Sequence, residues 1–142
     1  MAEPAVALAG QFLCLGSALS EKGRALLFEL REYNRPVTAF ALRYEGRVVA
    51  YLNRCAHVPV QMDWQPGEFL DADQRFIICS IHGATYEPAD GRCVGGPCGR
   101  GRLKPVAVQE RDGCVYWYPD SQLKPHAAVP NNADQPPPGS PA

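Results

Sequence analysis

Apolar positions along this chain recur in short runs that alternate with polar ones, the two-residue period of a half-buried strand. Gln11 to Leu15 reads as a short strand, followed by a turn region over Ser17 to Gly23. Ala25 to Glu32 alternates in part and reads as a second strand. Pro36 to Arg43 reads as a third, with Val37, Ala39 and Ala41 on one face and Thr38, Phe40 and Leu42 on the other. Glu45-Gly46 turns the chain into Arg47 to Leu52, a β-branched and aromatic run. Further on, Asp71 to Gln74 separates Phe69-Leu70 from Arg75 to Ile78 as a small hairpin. Leu103 to Gln109 and Cys114 to Tyr118 are predicted strands joined through Asp112-Gly113. Short runs bounded by Gly, Asn and Pro predict an all-β, antiparallel architecture.

The pattern ends near Tyr118. Seven of the chain's 14 prolines fall in 119–142, with one Leu and one Val. Such a segment has too little apolar surface to offset its chain entropy, which predicts a Pro-rich disordered tail over 119–142 behind one folded domain over 1–118. His126 in it reads as a solvated histidine. The 142 residues suit one domain with a core of its own. A formal net charge of −1 argues against a nucleic-acid partner. No run of 18 apolar residues predicts a membrane span, and no positive segment precedes the apolar stretch Ala5 to Leu19. A cytoplasmic location and a monomer are the expectations.

Chemistry concentrates between the two groups of strands. Cys55-Ala56-His57 is followed, after 21 residues, by Cys79-Ser80-Ile81-His82. Two soft thiolates and two imidazoles stand in the same order, C-x-H and then C-x-x-H. In a Rieske [2Fe–2S] centre two Cys hold one iron and two His the other. Replacing two thiolates of a four-Cys cluster by neutral imidazoles removes two negative charges, so an added electron costs less Coulomb work and the potential rises. A Cys₂His₂ zinc site uses the same residue types and would make the chain a zinc-stabilised interaction module.

The surrounding residues resemble one family specifically. Cys79-Ser80-Ile81-His82-Gly83-Ala84-Thr85-Tyr86, then Asp90-Gly91, then Gly96-Pro97 are similar to the second ligand loop, its following turn and the proline loop of the Rieske ferredoxin-type family. The resemblance covers about 10–118. It implies a small β-sandwich or barrel-like domain with an inserted cluster-binding subdomain of two loops, at about 53–103. It implies one [2Fe–2S] cluster per chain, with Cys55 and Cys79 on the buried iron and His57 and His82 on the outer one. Gly83, Ala84, Tyr86, Gly96 and Pro97 would surround it. High-potential members carry a disulfide between the two loops. The matching positions here are Val60 and Ile81, so that bridge is absent. Such members also resemble one another in a Ser two residues after the second His and a Tyr four after it. Ala84 and Tyr86 stand there, which predicts a potential on the order of −100 to +100 mV within the Rieske range.

The remaining candidates have plainer readings. Cys93 and Cys98 read as two small buried thiols, with a disulfide or an extra redox role as the alternative, Cys14 and Cys114 as strand residues, and Trp64, Trp117 and Tyr118 as packing. Arg54, Arg92, Arg100, Arg102 and Lys104 read as a solvated face able to steer an acidic partner. No G-x-G-x-x-G element marks a flavin or nicotinamide site. The resemblance therefore implies an iron–sulfur electron-transport protein with no catalytic residues and no substrate turnover of its own. It would pass single electrons between a reductase and a terminal oxygenase or similar enzyme. An accessory Rieske subunit of a larger oxidoreductase complex is the alternative.

Overall fold

The computed structural model describes residues 10–56, 60–63 and 65–125. Ten strands are described: β1 (Gln11–Leu15), β2 (Leu26–Glu32), β3 (Arg35–Tyr44), β4 (Arg47–Leu52), β5 (Ile77–Ile78), β6 (Thr85–Tyr86), β7 (Cys93–Gly95), β8 (Val108–Arg111), β9 (Cys114–Trp117) and β10 (Leu123–Pro125). All the paired strands run antiparallel, in three sheets ordered β1-β9-β8, β10-β2-β3-β4 and β5-β6-β7. Single 3₁₀ turns follow β1 (Gly16–Ala18) and β7 (Gly96–Cys98). The predicted all-β, antiparallel class holds. Among the described residues no helix is long and apolar enough to cross a membrane.

Three hairpins rest on consecutive residues with positive φ: Tyr33 (50°) and Asn34 (71°), Glu45 (52°) and Gly46 (83°), Asp112 (54°) and Gly113 (77°). Two left-handed residues match the twist of the strands they join, which accounts for Gly at the second place in two of the three.

The sheet containing β3 and β4 is covered on both faces. Ala39 and Ala41 of β3, with Ala50 and Leu52 of β4, enter a core with Leu30, Val106, Val115 and Trp117. Phe40 and Leu42, with Tyr51, point the other way into a core shared with Phe69, Ile77 and Tyr86. The period-2 alternation thus separates small side chains from large ones, not apolar from polar. The large face carries the third sheet. Phe40 stacks on Phe69 at 3.7 Å between ring centroids. Tyr51 donates to Pro88 O at 2.7 Å and Tyr44 to Arg75 O at 2.8 Å.

Two predicted boundaries differ. The strand expected over Leu103 to Gln109 begins only at Val108. Leu52 N donates to Lys104 O and Val106 N to Ala50 O, but Pro105 between them has no N–H and meets Tyr51 only as an isolated bridge. The chain also stays in the fold beyond 118. β10 pairs with β2 through Leu123 opposite Glu32 and Pro125 opposite Leu30, and Leu123 is buried. One leucine flanked by an edge-tolerated proline is enough here, because β2 offers an open edge. The segment expected to be disordered therefore contributes a strand at 123–125. The rest of it, with His126, lies outside the described residues.

Candidate metal centre

The first ligand loop leaves the end of β4. Asn53 is the one buried polar side chain of the described core, and it braces this loop. Its Oδ1 accepts from Met62 N at 2.8 Å and its Nδ2 donates to Asp63 Oδ1 at 2.8 Å. Asp63 Oδ2 in turn accepts from Gly67 N at 3.0 Å. Cys55 N donates to Val60 O at 3.0 Å, which closes the loop at its base. His57 lies outside the described residues, as does Trp64.

The second loop spans β5 and β6. Cys79 N donates to Ala84 O at 2.8 Å and Gly83 N to Cys79 O at 2.9 Å. This closure puts Gly83 at φ +81°, a conformation that favours glycine. A backbone bond joins the two loops directly, from Ser80 N to Met62 O at 2.9 Å. Met62 thus links the side chain of Asn53, two residues before Cys55, to the residue after Cys79. Sequence reasoning did not single out Asn53 or Asp63, because neither belongs to the C-x-H or C-x-x-H spacing.

Burial divides the donors. Cys55 and Cys79 are 2% and 0% exposed, whereas His82 is at the surface between exposed Ile81 and Gly83. The two thiols lie within hydrogen-bonding reach of each other. Burial pushes the Cys79 thiol up, while the N–H groups of Ile81 and His82, aimed at its sulfur, pull the other way. Those N–H groups would stabilise a thiolate once a metal displaced the proton. Tyr86 is fully buried, and burial, followed by its contact with Cys55, drives its phenol well above the usual range. It is therefore protonated. Its oxygen accepts from Ala56 N at 3.0 Å and stands 3.3 Å from the Cys55 sulfur, to which the phenol hydrogen is donated once that sulfur is a thiolate.

The segment after β7 covers both loops. Gly96 has φ +78°, and a Cβ there would lie 2.5 Å from Gly83 O and 2.8 Å from Ala84 Cα. A Cβ on Gly101 would lie 2.8 Å from Ala56 Cβ. Pro97 is exposed at the turn between them. Cys93 and Cys98, expected as separate thiols, are instead joined by a disulfide across this turn, with Cα atoms 5.9 Å apart. The C-x₄-C spacing around Gly-Gly-Pro was its only trace in the sequence. The 3₁₀ turn folds the two Cβ positions together. Cys14 and Cys114 are free.

Of the predicted basic face, Arg54 is paired with Glu32 at 2.7 Å and Arg92 with Asp90 at 3.2 Å. Lys104 binds the side chain of Gln122. Arg100 and Arg102 are exposed and form no ion pair among the described residues. Val60 and Ile81, the pair lacking the inter-loop bridge, are 37% and 46% exposed.

Among the described residues no group of three or more His, Cys, Asp or Glu is placed to hold one metal ion. The donors that are described fit a two-iron group better than one ion. Two buried thiols lie in the same core cluster, and the described imidazole belongs to an exposed residue.

The fold has close counterparts among solved structures. The ferredoxin of carbazole 1,9a-dioxygenase from Nocardioides aromaticivorans IC177 superposes with a TM-score of 0.62 at 17% identity, over 79% of this chain and 99% of that one. The terminal oxygenase of the same system gives 0.61 at 25% identity, over 82% of this chain and 31% of that one. A reduced complex between oxygenase and ferredoxin in carbazole 1,9a-dioxygenase gives 0.56 at 22%, over 78% and 29%. The chain thus spans less than a third of the oxygenase chains it matches. No curated protein matches it in sequence. A family model described as the Rieske [2Fe-2S] domain matches residues 13–123, most of the chain, and the protein belongs to that family, whose cofactor is the [2Fe–2S] cluster.

Proposed function

We propose that this protein is a ferredoxin-like one-electron carrier, receiving electrons from a reductase and delivering them to an oxygenase or another terminal redox enzyme. Cys55 and Cys79 would hold the inner iron, and His57 and His82 the outer one. When bound, the cluster supplies a single reversible electron. The chain's own residues do the rest. The sulfur-directed N–H groups of Ile81 and His82, with the Tyr86 hydroxyl, stabilise the negative charge of the reduced state. Phe40, Phe69 and Tyr51 hold the ligand loops on a rigid sheet, which limits reorganisation as charge changes.

The observation that carries this reading is the contrast in burial between the two thiols and His82. Electrons would enter and leave through the imidazole end, flanked by exposed Ile81, Val60 and Pro97. Arg100 and Arg102 beside this end would draw an acidic partner. The proteins of similar fold include a ferredoxin and complexes of a ferredoxin with its oxygenase, which supports a partner of that class. We place the protein in the cytoplasm, as an extension of the same reading.

The test is the reduced, anaerobically purified protein. It should show the paramagnetic signal of a [2Fe–2S] centre with mixed Cys and His ligation, with two irons and two sulfides per chain. Arg100→Glu with Arg102→Glu should slow electron transfer at low salt and converge on wild type at high salt. Zinc without iron or sulfide would overturn the assignment.

A further inference from the structure

We propose that the Cys93–Cys98 disulfide is a thiol-responsive clip that governs how tightly the two ligand loops retain their metal. The inference rests on the reading of those loops as the cluster site. The bond lies in neither loop. It closes a strap, residues 93–101, that touches both of them.

One end of the strap is β7, which pairs with β6 so that Cys93 stands opposite Tyr86, the residue aimed at the Cys55 sulfur. Its middle lies on the second loop, where Gly96 approaches Gly83 and Ala84 too closely for any side chain. Its far end lies on the first loop, where Gly101 meets Ala56. Backbone bonds from Cys93 N to Gly101 O (3.1 Å) and from Gly101 N to Cys98 O (2.8 Å) gather the ends.

Little else anchors it. Between Val94 and Arg100 the one buried residue is Cys98; Val94, Gly96, Pro97, Gly99 and Arg100 are exposed. A segment with so few buried contacts opens readily unless it is covalently closed. The disulfide supplies that closure and holds the 3₁₀ turn against Gly83, one residue after His82. Cys93 is half-buried and Cys98 is 7% exposed, so Cys93 is the more accessible residue of the pair. A dithiol reductant would attack it and form a mixed disulfide, with Cys98 leaving as the thiolate. The second thiol of the reductant then releases Cys93. Two electrons and two protons pass to the protein, which gains two thiols while the reductant becomes a cyclic disulfide. With the strap open, both loops lose the wall that covers them.

Wild-type holoprotein and Cys93→Ser/Cys98→Ser holoprotein, prepared anaerobically without thiols, would be exposed to an iron chelator with and without dithiothreitol. Loss of the visible band is followed, and alkylation of the 93–98 peptide is read by mass spectrometry. The expected result is an unalkylated pair in fresh wild type, then alkylation and cluster loss faster by on the order of tenfold after dithiothreitol. The double variant should lose its cluster fast from the start and ignore dithiothreitol. The proposal is overturned by an opened disulfide with unchanged cluster loss, by equal acceleration in both proteins, or by a pair that stays closed until global unfolding. Absence of iron and sulfide at the outset would fail the cluster reading instead. Hydrogen exchange at Ser80–Tyr86 and Val94–Gly101 then decides: faster exchange on opening the bond supports the clip, and unchanged exchange overturns it.

Discussion

The Tyr86 hydroxyl stands 3.3 Å from the Cys55 sulfur and 3.0 Å from Ala56 N, so a single buried oxygen serves both the thiol and the backbone after it. A metal-bound Cys55 is a thiolate with no proton of its own, so in the loaded site the hydroxyl is the donor. Removing the hydroxyl removes one charge-directed hydrogen bond from the reduced state. Tyr86→Phe should therefore lower the midpoint potential by on the order of 50 mV, with the visible spectrum retained. Protein-film voltammetry on both proteins checks this. An unchanged potential would show that the hydroxyl does not tune the site.

Gly96 and Gly113 offer a matched pair of backbone tests. Both have φ near +78°, at 78° and 77°. A Cβ on Gly113 meets nothing within 4 Å, whereas one on Gly96 meets Gly83 O at 2.5 Å. Gly113→Ala should lose about 1 kcal/mol from conformational strain alone. Gly96→Ala should lose at least about 2 kcal/mol more, because backbone must move, and should also retain less iron. Denaturant melts with iron analysis would separate the two, and equal losses would contradict the steric argument.

Asn53 is buried and holds two residues of the first loop. Asn53→Ala removes the bonds that Asn53 makes to Met62 N and to Asp63 Oδ1, while Gly67 N still binds Asp63 Oδ2, at a cost of about 2 kcal/mol. The same change frees the segment that receives Ser80 N, so the rate of cluster loss should rise with it. A denaturant midpoint and a chelator assay on one preparation measure both.

Leu123 makes the end of the domain testable. Leu123→Ala should cost about 2–3 kcal/mol, or roughly 10 °C in melting temperature for a domain of this size. Removing residues 119–142 should cost at least as much, while removing 126–142 should leave the melting temperature nearly unchanged. Equal melting of the two truncated proteins would show that β10 adds nothing.

Acid should weaken the link between the first loop and β2. The Arg54 guanidinium, hydrogen-bonded to Glu32, holds that carboxyl below its ordinary value of 4.5. A depressed folded-state value means stability that is fully present above about pH 4.5 and is lost as pH falls through the lower value. Partly exposed pairs contribute little, so the difference between wild type and Glu32→Gln should be at most about 1 kcal/mol at pH 7 and should shrink steadily as pH falls below 4.5. Urea melts across that range give the answer, and a difference that grows on acidification would reverse the sign.

How much was legible before the fold was known depends on how far apart the interacting residues lie. C-x-H and C-x-x-H are local covalent spacings, so Cys55, His57, Cys79 and His82 stood out as a donor set at once. The hairpins at Glu45-Gly46 and Asp112-Gly113 were legible for the same reason, since a left-handed pair of residues is a property of the turn itself. The alternation of Ala39 and Ala41 with Phe40 and Leu42 was also visible, along with the all-β class it implies. Tertiary structure alone decided that both faces of that strand are buried, one on each of two cores. It decided that Leu123, in proline-rich surroundings, finds the free edge of β2. It brought Asn53 to Met62, a contact set by loop closure rather than by spacing, and it gave the Tyr86 hydroxyl, which the resemblance placed at the cluster, Cys55 as its partner. It also brought Cys93 to Cys98, because five residues can hold two cysteines apart or together, and only the 3₁₀ turn pressed against Gly83 selects the second.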